Sequence, residues 1–208
     1  MTRDVICISR TLAAGGEAVG RGVAQQLGYS YVDEEIIAIA SRKAKLDPAE
    51  VEKVEHRASI LKRLLDALGT RPPTDLPIPA GGYYLPDAPL AAPVGDDLRG
   101  LIREAIDEVA MRGKVVLVAH AASYALGKRA DVLRVLISAS LETRSERLLL
   151  LGQKETKKVL RESDKEREFY LRSFYDVREE SPLDYDLVLN TDGLTADQAV
   201  AAIVALAR

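Results

Sequence analysis

The chain has 208 residues, enough for one well-filled core, and its 47% hydrophobic and 29% charged content places it among globular proteins. A net charge of −3 gives no overall positive field toward nucleic acid or anionic membrane, and no run of 18 apolar residues indicates a membrane span. One cysteine excludes an internal disulfide, so a reducing, cytoplasmic location is expected.

In chain order, Val5 to Ile8 is an apolar strand run, with Cys7 read as a small core residue. Ser9 to Gly16, reading SRTLAAGG, separates it from an amphipathic helix over Gly16 to Leu27, with Gly28 as a left-handed stop. That is the place of a phosphate-binding loop, where backbone N–H groups and a helix N-terminus converge on anionic oxygens. Against G-x-x-x-x-G-K-[ST], Arg10 stands at the first glycine, Gly15 is kept, and Gly16 and Glu17 replace the lysine and the hydroxyl residue.

Tyr29 to Val32 reads as a second strand, followed by Asp33 and a helix through Ile36, Ile37 and Ala40. Asp47-Pro48-Ala49-Glu50 starts another helix that reaches Leu68, its apolar stripe running from Val51 through Leu61 and Leu65. Gly69 to Gly95 holds seven of the nine prolines and reads as a long loop, either a cover for a site or a surface insertion. A helix over Asp97 to Arg112 stops at Gly113. Val115 to Ala119, Val132 to Ser138 and Leu187 to Asn190 are further strands, and Thr195 with Gln198 forms a capping box on the closing helix. Strands alternating with helices predict an α/β fold, a parallel sheet covered on both faces.

Several of these anchors, taken in order, resemble the cytidylate kinase-like family of P-loop nucleoside monophosphate kinases. They are Ile8-Ser9-Arg10 with Gly15-Gly16, Leu27-Gly28 through Tyr31-Val32-Asp33, Val115 to Val118, and Leu133 to Ala139 with Arg144. Asp164-Lys165-Glu166-Arg167 with Tyr170, and Tyr185 to Thr191 with Leu194, complete the match. The resemblance implies one domain over 1–208 with a five-stranded parallel sheet, a substrate-side insertion over 45–95 and a lid-like helical segment over 152–176. It also implies transfer of the ATP γ-phosphoryl group, with Mg2+, to a nucleoside monophosphate such as CMP or dCMP, or to a related small acceptor. The alternative is a catalytically impaired nucleotide-binding or interaction protein on the same fold.

Within that frame, phosphate binding falls to Arg10, Ala13, Ala14, Gly15, Gly16 and Glu17. The alanines leave the backbone N–H groups in place, whereas the Glu17 carboxylate occupies the positive end of the helix and repels a phosphate. Arg161, Asp164 and Arg167 follow R-x-x-D-x-x-R, which predicts one helix face where the arginines close over the transferring phosphate and Asp164 orients them; a solvated charged helix has the same pattern. Arg144 and Arg147 offer a second grip on phosphate, or surface ion pairs with Glu142 or Glu146. Arg10 stands in for the lost lysine or forms a structural salt bridge. Asp33 holds a magnesium-bound water or substrate, or caps the next helix.

His120, after the third strand, occupies a position where relatives carry arginine. A histidine offers fewer donors and only partial charge near neutral pH, so His120 is either an altered substrate contact or a structural histidine. His56 carries no signal, and with no Cys/His cluster at metal-ligand spacing no protein-held metal site is expected. The stripe from Val51 to Leu68 packs on its own domain or forms a homodimer.

Overall fold

The computed structural model describes residues 3–33, 96–119 and 121–208. The expected helices through Ile36 and from Asp47 to Leu68, the proline-rich segment and His120 lie outside the described residues. Labels below number the described elements: β1 (Val5–Arg10), α1 (Gly16–Leu27), β2 (Ser30–Val32), α2 (Asp96–Met111), β3 (Val115–Val118), α3 (Ala122–Leu126), β4 (Val132–Ser138), α4 (Leu141–Leu150), α5 (Thr156–Tyr175), β5 (Leu187–Asn190) and α6 (Ala196–Ala207).

All five strands are parallel, in the order β2-β3-β1-β4-β5. The central strand β1 is paired on both sides, and its residues from Val5 to Ile8 are apolar without interruption and alternate between two cores. Ile6 and Ile8 pack with α1 and α6 on one face; Val5 and Cys7 pack with α2 and α3 on the other. Burial pushes the Cys7 thiol up to about 12, which suits a filler of the core rather than a nucleophile.

α1 begins and ends as its sequence dictates, with Gly28 left-handed at φ 69° and donating its N–H to the Ala24 carbonyl. Gly20 lets this helix approach the sheet, since a Cβ there would stand 2.5 Å from Val118 Cγ2. Thr195 caps α6 through the expected reciprocal bonds with Gln198.

Four boundaries differ from expectation, among them β3, which ends at Val118 rather than Ala119. β1 runs two residues further, to Arg10, because Ser9 and Arg10 register against Leu136 and Ile137 of the longer β4. β2 starts at Ser30, and α2 occupies Asp96–Met111, one residue earlier than its pattern. The short α3 and a turn of 3₁₀ helix over Pro182–Asp184 were not foreseen; the latter is capped reciprocally by Ser181 and Asp184. No helix among the described residues is long and apolar enough to cross a membrane.

Candidate phosphate-transfer site

The loop after β1 turns on two left-handed residues, Ala13 at φ 62° and Gly15 at φ 87°. Glycine adopts this region freely, whereas alanine does so at a steric cost that its surroundings must offset. Those surroundings are visible as hydrogen bonds. Arg147 Nη1 donates to the Ala13 carbonyl at 3.1 Å, and the Thr191 hydroxyl donates to the Ala14 carbonyl at 2.8 Å. A trans peptide is planar with C=O and N–H opposed, so tying the Ala14 carbonyl to Thr191 turns the Gly15 N–H the other way. α1 has no side-chain cap, and its first intrahelical bond is Val19 N–H to the Gly15 carbonyl. The N–H groups of Gly16, Glu17 and Ala18 thus have no intrahelical acceptor, as at any helix N-terminus that can receive an anion.

Arg10 does not project toward that opening. Its side chain, 10% exposed, lies across Gly16 and pairs through Nε with Glu17 Oε1. A Cβ on Gly16 would stand 2.7 Å from Arg10 Cβ and 2.8 Å from Cδ. Position 16 is therefore glycine because position 10 is arginine: the two departures from the phosphate-loop pattern fill one space. The pair also neutralises the carboxylate expected to repel phosphate.

The lid arrangement differs from the sequence expectation. Arg161, Asp164 and Arg167 do lie on α5, but a six-residue separation turns Arg161 away, leaving it exposed while Arg167 is buried. Asp164 orients neither of them. It grips the buried Arg144 of α4 in a fork, at 2.8 and 2.7 Å, and Arg144 has no pair with Glu142 or Glu146. A second buried contact, Ser145 Oγ to Thr156 Oγ1 at 2.5 Å, joins α4 to the start of α5. Arg167 is held by Glu180, Nε at 3.2 Å and Nη2 at 2.5 Å.

A cleft of about 250 Å³ opens where Thr11 faces Asp164, Arg167 and Glu168 of α5 and the 177–180 segment. Thr11 Oγ1 at its wall and Arg144 Nε are buried with no hydrogen-bond partner among the described residues. Behind it lies a hydroxyl network that sequence reasoning missed. Tyr185 donates to Glu180, Tyr124 donates to Asp184 at 3.1 Å, and Ser9 and Ser123 approach to 3.4 Å. Burial, reinforced by Glu180, pushes the Tyr185 phenol up to about 12, so it stays a donor at neutral pH. Its only sequence signal was the spacing of tyrosines around an acidic segment.

Asp33 follows β2 and accepts from the Tyr31 hydroxyl at 2.8 Å. Tyr31 is itself half-buried against the core beside α1, with the Arg21 guanidinium 5.1 Å from its ring centre. No group of three or more metal-ligating side chains occurs among the described residues.

The sequence from residue 5 to residue 193 matches the model of the cytidylate kinase-like family. The chain belongs to that family. The solved structure of an uncharacterised protein from Eubacterium ventriosum is similar to it, with a TM-score of 0.67 and 15% identity, covering 99% of this chain and 98% of that one. A shikimate kinase from Bacteroides thetaiotaomicron gives 0.51 at 15% identity over 97% of each chain. A sugar kinase from a Janibacter species gives 0.50 at 11%, over 99% of this chain and 94% of that one. At such identities the likeness establishes the P-loop kinase fold. No curated protein matches the sequence. Family and fold together place the chain among nucleotide-binding proteins of the phosphotransferase class.

Proposed function

We propose that the protein transfers the γ-phosphoryl group of magnesium-bound ATP to a nucleoside monophosphate, CMP in keeping with its family, or to a related small acceptor. The observation that carries this reading is the row of N–H groups from Gly15 to Ala18, which no side chain caps and no preceding turn of the helix accepts. Its loop carbonyls are tied away by Arg147 and Thr191, and the neighbouring carboxylate is neutralised by Arg10. Phosphoryl transfer demands positioned donors and positive charge rather than a protein nucleophile, and this arrangement supplies donors.

The acceptor oxygen attacks the γ-phosphorus while the bond to the β-phosphate oxygen breaks and ADP departs. The phosphate oxygen of a monophosphate is already ionised, so no protein base is needed. Arg167 would exchange Glu180 for the transferring group, and the 152–176 segment, mainly α5, acts as the lid over the cleft. Magnesium would come bound to the phosphates of ATP and keep several of its waters. Asp33 would hold one of those waters or a substrate group. Asp164, engaged with Arg144, positions that arginine. His120 would meet the acceptor.

One observation favours the impaired alternative: Arg144 and Arg167 are both occupied by carboxylates. The two readings separate in one experiment, calorimetric titration with ATP and magnesium, with and without CMP, followed by analysis for ADP and CDP. Binding with CDP formation supports the kinase. Binding without product for any monophosphate or small polyol supports the impaired form, and no ATP binding refutes both.

A further inference from the structure

Of the arginines around the loop, three are neutralised: Arg10 by Glu17, Arg144 by Asp164 and Arg167 by Glu180. Arg161 is exposed on α5. Arg147 differs from all of these. Its guanidinium bonds only neutral acceptors: Nη1 to the Ala13 carbonyl and the Thr191 hydroxyl, each at 3.1 Å, and Nη2 to the Thr191 carbonyl at 2.7 Å. Among the described residues no carboxylate pairs with it. Nη1 also lies 4.0 Å from where a Cβ on Gly15 would stand, so a full positive charge flanks the turn whose N–H groups face the anion site.

We infer that Arg147 supplies, from α4, the positive charge of the phosphate loop that no lysine provides, and that with Thr191 it holds the loop carbonyls so that the Gly15 N–H faces phosphate. This rests on the reading of the loop as a nucleotide-phosphate site. Its physical basis is that a guanidinium in a partly buried setting, with no carboxylate to neutralise it, projects its field onto the nearest anion. Thr191 is the joint of the device. Its hydroxyl receives Arg147 and donates to the Ala14 carbonyl, and its own carbonyl receives the second arm of the guanidinium. Both are positioning residues, acting through the loop backbone and the local potential.

The test uses the full chain, calorimetry with inorganic tripolyphosphate and with ATP, and four variants. Arg147→Gln keeps an amide that can donate to the Ala13 carbonyl but removes the charge; Arg147→Lys keeps the charge and loses the fork. Thr191→Val keeps the charge and releases the Ala14 carbonyl. Loss of a charge-assisted interaction predicts about ten- to hundredfold weaker binding of both ligands by Arg147→Gln, with Arg147→Lys within about threefold of the parent protein. Thr191→Val should weaken both ligands about tenfold, and Thr191→Ser should restore them. Thermal unfolding without ligand checks that each variant is folded, and Arg147→Lys decides the matter if the glutamine variant is not, by retaining tripolyphosphate binding. Wild-type affinity in Arg147→Gln, or equal losses in the lysine and glutamine variants, overturns the inference while leaving the kinase reading intact. Failure of the parent protein to bind either ligand overturns both.

Discussion

Gly16→Ala isolates the interlock between the loop and β1. Adding a Cβ there places it 2.7 Å from Arg10 Cβ, 2.8 Å from Cδ and 3.3 Å from Cγ, against about 3.5–4.0 Å for ordinary carbon contacts. Arg10 Cβ cannot swing away, because its backbone is registered against Ile137 in the sheet, so the start of α1 must move instead. Overpacking of this kind costs about 1–3 kcal/mol, while alanine in place of helical glycine returns at most about 1 kcal/mol. The expected net loss of about 1–2 kcal/mol lowers Tm by roughly 2–8 °C for a chain of this length. In an Arg10→Gly background all three contacts vanish, and the same substitution should be neutral or stabilising by up to about 1 kcal/mol. Loss of the Glu17 partner is common to both Arg10→Gly proteins and cancels in the cycle. Thermal and urea unfolding of the four proteins measures the coupling directly. Equal effects of Gly16→Ala in the two backgrounds would refute the interlock, and with it the explanation of why lysine is absent from position 16.

Gly20→Ala places a Cβ 2.5 Å from Val118 Cγ2 and 3.1 Å from Tyr31 Cε2, and should destabilise by about 1–3 kcal/mol, partly recovered by Val118→Ala; unfolding curves decide. Asp186 is raised by burial but lowered further by its bonds to Arg134, so its net pKa lies below the ordinary value. A depressed folded pKa stabilises above the unfolded value and loses that contribution as pH falls through the folded one. Asp186→Asn should therefore cost about 1–3 kcal/mol near neutral pH, and the difference from the parent should shrink below about pH 4 in denaturation measured across pH. Arg167→Ala should lower CDP formation about 10²-fold, and normal turnover would remove it from the proposed machinery.

The sheet was legible because its signals are local and independent of partners. Val115 to Val118 is an unbroken apolar run, Val132 to Ile137 is apolar but for Arg134, and α1 and α6 carry their own stop and cap. The position of the loop was legible for the same reason. Its chemistry was less so. Helical spacing grouped Arg161, Asp164 and Arg167, yet Asp164 turned out to serve Arg144, twenty positions earlier, because α4 and α5 pack side by side. Spacing within a helix records which residues are neighbours on its surface and is silent about what the next helix presents. The roles of Glu180 and Thr191 were not legible because each acts on a residue remote in sequence: Glu180 on Arg167 across the end of α5, Thr191, after β5, on Ala14 of the loop after β1.

The degenerate loop follows from this division of labour. A glycine-rich loop with its own lysine carries conformational freedom, donors and charge in one short segment. Here the three are separated. Ala13 holds a left-handed conformation that alanine disfavours, and Arg147 holds its carbonyl. The donors remain on the backbone from Gly15 to Ala18, and the unneutralised charge stands on α4. Because α4 is also joined to α5 through Arg144–Asp164 and Ser145–Thr156, the helix that supports the loop also anchors the arginine-bearing helix above the cleft. A sequence test that demands lysine at position 16 therefore looks in the one place where Arg10 leaves no room for it.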